Sequence, residues 1–386
     1  MKKILCSFFA ILLLISCQKD DSLESTTPTG KITGNVRSQN GLKNIGGAII
    51  FSFDNHNEII YTHSDANGDF TLELPEGNRE IHIQTGNGSN FRTNFSVEVT
   101  KNQTQALDNS TTVLQQVANI AYVSGSYDEI EDLISNLGYT ATSISFSDLG
   151  NYNIVSQYDI IFLNCGSRNN SLNNLNATID TNLAKFVTNG GSLYSSDWAL
   201  TYLMGGQNNV SACNVSGGFI PDATLCSINN GLSGYIYNAQ VVDTNLSNSI
   251  GFSAFDLNYD LPSWQQVISF DSNYWTSLVN NPTNGQSLML KTNSFYDSSL
   301  VGAIVGNDNT DNWVTICHIP PGNQNNPITI TINQNALNAH LAHGDSLGSC
   351  NGSSSGGTIY FTTFHNHAAG NIGNSESILN YVIMNL

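Results

Sequence analysis

The chain has 386 residues, enough for two or three domains. Only 11% of them are charged, against about 25% in ordinary soluble proteins, and the net charge is −18. Such acidity repels phosphate backbones and anionic lipid headgroups, which argues against nucleic acid as a partner and against electrostatic docking to a bilayer.

In chain order, Lys2 and Lys3 precede an apolar run over residues 4–15. The run is shorter than the roughly 20 residues of a bilayer span and fits a signal-peptide core over residues 1–16. Leu14-Ile15-Ser16-Cys17 then resembles the lipobox of bacterial lipoproteins. The resemblance implies that Cys17 is acylated and begins the mature chain; in an ordinary secretory signal Cys17 is incidental. Gln18-Lys19-Asp20-Asp21 resembles an export tag, implying a lipid-anchored protein of the outer membrane that faces the cell exterior. The lipid membrane, reached through Cys17, is thus an expected partner. Without Lys2 and Lys3 the chain keeps 10 Lys and Arg against 30 Asp and Glu, a net charge of −20. Residues 17–30 are polar and read as a tether.

Over residues 31–100 short runs alternate apolar and polar positions, among them Phe70-Leu72-Leu74 and Phe95-Val97-Val99, with turn signals at Asn67-Gly68 and Pro75-Glu76-Gly77. Period two between turns predicts a small antiparallel β-sandwich. Gly34-x-Val36, Gly47-Ala48 and the stretch from Ser64 through Gly68-Asp69-Phe70 to Gly77 resemble the carboxypeptidase regulatory-like domain. The resemblance implies a non-catalytic, transthyretin-like spacer. Asp65-x-Asn67-x-Asp69 mimics the start of a calcium loop, but Phe70 stands where such a loop needs glycine, so a hairpin turn is expected. Residues 101–116 read as a polar linker.

From residue 117 the period changes. Ile120-Ala121-Tyr122-Val123, residues 142–146, 159–163 and 193–196 read as strands. Between them, residues 127–137 and 180–187 read as helices stopped by Gly138 and Gly190-Gly191. Strands alternating with helices predict a parallel sheet covered on both faces. Residues 300–305 and 358–363 read as two further, neighbouring strands, and 206–283 carries β-type runs with no recognised counterpart. Tyr158-Asp159-Ile160-Ile161-Phe162-Leu163, Phe186-Val187-x-x-Gly190-Gly191-Ser192-Leu193 and Thr358-Ile359-Tyr360-Phe361-Thr362-Thr363-Phe364-His365-Asn366 resemble the class I glutamine amidotransferase-like fold and its trehalose-utilisation-like relatives.

Ligands of open α/β sheets bind beyond the carboxyl ends of the strands. Cys165, Gly166, Asp197, Trp198, His365 and His367 fall there and form the expected binding cleft. The resemblance implies a nucleophilic Cys on a glycine-flanked elbow and a His-x-Glu pair. This chain has Asp197 for the Cys, His367 for the Glu and no elbow glycines, so inherited amidohydrolase chemistry is not expected. Asp197 and His365 remain candidates for an acid and a base. With His367 they could also hold a metal, against the plainer reading of a hydrogen-bonded polar cleft. A lone buried Cys165 reads as core. Trp198, Trp264, Trp275 and Trp313 are scattered and read mostly as core or rim.

Residues 308–356 form an insertion with its own character. Cys317-His318-Ile319-Pro320-Pro321-Gly322-Asn323 opens it and His340-x-x-His343-Gly344-Asp345 precedes Cys350. The segment resembles a short recurrent module of extracellular bacterial proteins. Cys317, His318, His340, His343 and Cys350 could bind zinc, the one cofactor the sequence suggests. Oxidising surroundings favour a disulfide Cys317–Cys350 instead, and close spacing likewise suggests Cys213–Cys226.

The expected protein is multidomain: a transthyretin-like β-sandwich over 31–100, then an α/β flavodoxin-like domain with a parallel sheet over 117–386, interrupted by the Cys/His insertion. The expected function is binding or display of an extracellular glycan or protein ligand on a degenerate amidotransferase-like scaffold. The alternative is a hydrolase of surface glycan or peptide using Asp197 and His365, with or without a metal.

Overall fold

The computed structural model describes residues 28–55, 59–86, 90–169, 171–204, 224–295, 313–318, 328–333, 346–347, 357–366 and 374–386, together with Ala336 and His340. The leader, Cys17, Cys213, His343, Cys350, His367 and the expected strand 300–305 lie outside the described residues. The described part is built mainly from β-sheets, one of them large and mixed, with a few helices. Among the described residues no helix is long and apolar enough to cross a membrane.

Two sheets form the N-terminal part. Thr29–Asn35 lies between Asp69–Pro75 and Thr104–Ala106. The facing sheet runs Ile59–His63, Ile49–Phe53, Gly77–Thr85, Phe91–Val99, Gln115–Gln116. The alternation read from the sequence is the burial alternation: Phe70, Leu72 and Leu74 are buried while Asp69, Thr71 and Glu73 face water. The loop at Asp65 is a turn. Its Oδ1 accepts the backbone N–H groups of Asn67 and Asp69, at 2.8 and 2.9 Å, and Gly68 takes the left-handed φ of +80° that the turn needs. Residues 101–116, expected as a linker, supply an edge strand to each sheet. Their polar composition fits a strand exposed on its outer side.

The large sheet has nine strands in the order Thr142–Ile144, Ile120–Val123, Ile160–Leu163, Ser192–Ser196, Ile359–Thr362, Ser287–Thr292, Thr276–Asn280, Gly234–Val241, Ala254–Tyr259. The first five are mutually parallel and the remainder pair antiparallel. Ile160–Leu163 is buried at every position, as expected of a central parallel strand covered on both faces. Ile160 and Phe162 join the core on one face with the helices Ile130–Asn136 and Ser375–Asn385. Ile161 and Leu163 join that on the other with the helix Asn173–Thr188.

Both edges of Ile359–Thr362 are taken, by Ser192–Ser196 and Ser287–Thr292. The described residues 224–283 both complete and cover the sheet. Three of their strands extend the sheet, while Leu225–Gly231 pairs with Trp264–Phe270 in a separate ribbon that packs against the second core.

The two N-terminal sheets do not hang free of the large sheet. Their core is continuous with the face carrying Ile130–Asn136 and Ser375–Asn385. Phe91 packs on Tyr139 with ring centroids 4.6 Å apart, and Asn90 Nδ2 donates to the Leu386 carbonyl at 2.6 Å. In the insertion, Trp313–His318 pairs with Ile328–Asn333 and Ser346–Leu347. Its Ile316 and Ile332 pack against Phe53 and Ile59 of the sandwich. His340 is buried edge-on against Phe53, with centroids 5.3 Å apart.

Candidate functional site

Three adjacent parallel strands, Ile160–Leu163, Ser192–Ser196 and Ile359–Thr362, end side by side. Leu163 is in register with Ser195 and Ser195 with Phe361, so Cys165 and Asp197 emerge level with each other and His365 follows two residues further out. The chain leaves Ile120–Val123 toward Thr142–Ile144 on one side, whereas Ile160–Leu163 flanks it on the other; the crevice above this division is where open sheets bind ligands. Gly125 sits there because a Cβ would lie 2.1 Å from the Cys165 carbonyl oxygen.

The strand Ser192–Ser196 runs directly into a helical turn, Asp197–Ala199, and the residue at the bend, Asp197, has φ +43°. The chain therefore bends sharply at Asp197 without a glycine on either side. Aspartate is among the few L-residues that visit this region at modest cost, of order 1 kcal/mol or more.

Asp197 is only 1% exposed. Its Oδ1 accepts the Gln265 backbone N–H at 2.5 Å, and its Oδ2 accepts the Cys165 thiol at 3.5 Å. The nearest ligand atoms of Cys165, Asp197 and His365 all lie within 4.8 Å of one another. Behind them the Cys165 backbone N–H donates to Ser196 Oγ at 3.0 Å, and that hydroxyl donates to Asp128 Oδ2. Burial first, and the neighbouring Asp128 charge, push the Asp197 carboxyl up to about 7 against the hydrogen bonds from Gln265 and Cys165. Burial likewise pushes Asp128 up to about 7, with Ser196 opposing and Glu131 adding to it. Burial and the Asp197 charge push the Cys165 thiol up as well. A thiol held in this way is a donor rather than a nucleophile.

Beside this cluster lies a cleft of about 350 Å³ lined by Tyr127, Gly166, Arg168, Trp198, Thr201 and residues 261–263. Trp198 Nε1 donates to the Ser263 carbonyl at 3.4 Å, which sets the indole against that wall. The Arg168 guanidinium is buried, pairs with Asp180 at 3.0 Å and lies over the Tyr202 ring.

Of the residues expected to converge, Cys165, Asp197 and His365 do so, and Gly166 and Trp198 line the adjoining cleft. Cys165 is therefore a member of the site as well as core; it is a buried free thiol. Cys226 is disulfide-bonded. The strand carrying Cys317 and His318 is described, and His340 lies against Phe53. Trp264 and Trp275 are core, as expected. Asp128, Ser196, Arg168 and the Gln265 backbone were not foreseen. Asp128 follows the first parallel strand and could have been suspected from that position, but a backbone N–H carries no sequence signal.

No protein-family model matches the chain, and no curated protein matches it significantly.

Proposed function

We propose that this is a lipid-anchored cell-surface protein whose α/β part keeps an amidotransferase-like scaffold and uses the strand-end crevice to bind a ligand rather than to perform nucleophilic catalysis. The leader and Leu14-Ile15-Ser16-Cys17 support the anchor and an outer-membrane address. The strand order and the elbow at Asp197 support the scaffold, and the two facing sheets of the N-terminal part support a regulatory-like spacer. One observation carries the binding reading: the residue at the elbow, where a nucleophile would stand, has both carboxylate oxygens engaged and almost no exposed surface. The neighbouring cleft presents Tyr127 and Trp198, rings suited to stacking on a sugar or an apolar side chain.

The test is a glycan and peptide array probed with the mature chain. Binding should weaken at least about tenfold in Trp198→Ala, a loss of roughly 1.4 kcal/mol, and bound material should be recovered intact. Turnover of a bound compound that needs both Asp197 and His365 would overturn the reading. It would favour the alternative, a hydrolase acting on surface glycan or peptide with those two residues as acid and base, a pairing their proximity permits. The anchor is tested separately: radiolabelled fatty acid should attach to the wild type and not to Cys17→Ser.

A further inference from the structure

We propose that Cys165, Asp197 and His365 form a three-ligand site for a zinc-type divalent cation, with its fourth position turned toward the cleft beside Trp198. The proposal deepens the reading of the crevice as a binding site, because the cation would become the group that a ligand's carboxylate or other Lewis base reaches.

The geometry is specific. Around a tetrahedral zinc, a thiolate sulfur and a carboxylate oxygen stand about 3.5 Å apart, and an imidazole nitrogen about 3.4 Å from that oxygen. Cys165 Sγ and Asp197 Oδ2 are already 3.5 Å apart, and no pair among the three ligand atoms exceeds 4.8 Å. The residues come from three neighbouring strand ends, a rigid platform of the kind metal sites need. The supporting contacts are those of a built site. Gln265 N–H holds Asp197 Oδ1, which leaves Oδ2 for the cation, and Ser196 fixes the Cys165 backbone while itself donating to Asp128. Asp128 and Asp197 are both buried, and among the described residues neither is ion-paired with a lysine or arginine. A divalent cation supplies the missing positive charge. The donor set of sulfur, nitrogen and oxygen selects zinc or a neighbouring transition metal over calcium or magnesium, which take oxygen ligands. On binding, the Cys165 S–H bond breaks, the proton passes to solvent and the sulfur bonds the metal. Gly166 and Trp198, next in sequence to two ligands, line the cleft.

Cobalt(II) serves as the probe. The full mature chain, solubilised in detergent and stripped with chelator, should take up one equivalent and develop a thiolate-to-cobalt charge-transfer band with tetrahedral d–d bands. Cys165→Ser should abolish the charge-transfer band, and His365→Gln should weaken uptake at least tenfold. A double Cys317→Ala/Cys350→Ala variant should keep the band. No band in the wild type overturns the proposal, as does a band that survives in Cys165→Ser and vanishes in the double variant, which would put the metal in the insertion. If Cys165→Ser fails to fold by circular dichroism, His365→Gln decides, since that side chain is half-buried; undiminished uptake there is equally fatal. Ligand capture that depends on Trp198 but not on metal would leave the binding reading standing without the cation. A cobalt band without Trp198-dependent capture would do the reverse.

Discussion

Replacing Asp128 by Asn should change how stability depends on pH. Asp128 is fully buried, and burial raises its carboxyl from 3.8 to about 7. Below pH 3.8 the group is protonated in both folded and unfolded chains. Between 3.8 and about 7 the unfolded chain releases a proton that the folded chain keeps, so stability falls as pH rises through that window and levels off above it. The ceiling is about 3 pH units at about 1.4 kcal/mol each, or about 4 kcal/mol, of which about 3 kcal/mol falls between pH 5 and pH 8. Asn keeps an oxygen for the Ser196 hydroxyl but carries no charge to desolvate. Urea unfolding followed by tryptophan fluorescence, in chelator at pH 5 and pH 8, measures the difference. Asp128→Asn should gain on the wild type by up to about 3 kcal/mol between the two pH values. Parallel profiles would show that Asp128 ionises freely in the folded state and that the site is wetter than its burial implies.

Three further outcomes follow from the packing. His82 is stacked on Phe51 at 4.8 Å, and burial lowers its pKa from 6.5 to about 4. The unfolded chain therefore takes up a proton first as pH falls, and up to about 3 kcal/mol is lost between pH 6.5 and 4; acid titration of Tm should show this loss in the wild type and not in His82→Phe. Gly125→Ala should press on the Cys165 carbonyl, destabilise by about 1–3 kcal/mol and remove the cobalt band, both readable on one purified sample. Phe162→Ala, at a fully buried position in the central strand, should cost about 3–5 kcal/mol in urea unfolding, whereas substitutions on the exposed side of residues 101–106 should stay within about 0.5 kcal/mol.

The sandwich strands and the parallel strands were legible because their burial follows a period the sequence carries: alternation in Asp69–Pro75, an unbroken apolar run in Ile160–Leu163. Thr104–Ala106 and Gln115–Gln116 were not, because edge strands with polar side chains are held by backbone hydrogen bonds that any residue can make. The site was half legible. Position after a strand end pointed to Cys165, Asp197 and His365, yet their convergence depends on register among strands nearly 200 residues apart. The bend at Asp197 carried no glycine signal because Asp tolerates the left-handed region that glycine usually occupies.

The elbow also shows what the extension contributes. A strained φ persists only where surrounding contacts over-determine it, and here the contact that reaches Asp197 from outside the parallel strands is the Gln265 N–H, on a strand of the region 206–283. The same region supplies residues 261–263, which wall the cleft, and the Ser263 carbonyl that receives the Trp198 indole. Oδ1 of Asp197 is thereby committed to holding the turn, while Oδ2 accepts from the Cys165 thiol, with His365 in the same cluster. A carboxylate used in this way suits coordination: one oxygen oriented by the protein, the other presented beside a sulfur. It does not suit attack on a substrate, which requires an oxygen free to move into a bond. The parallel strands place the three side chains, and the extension determines what the elbow residue can do.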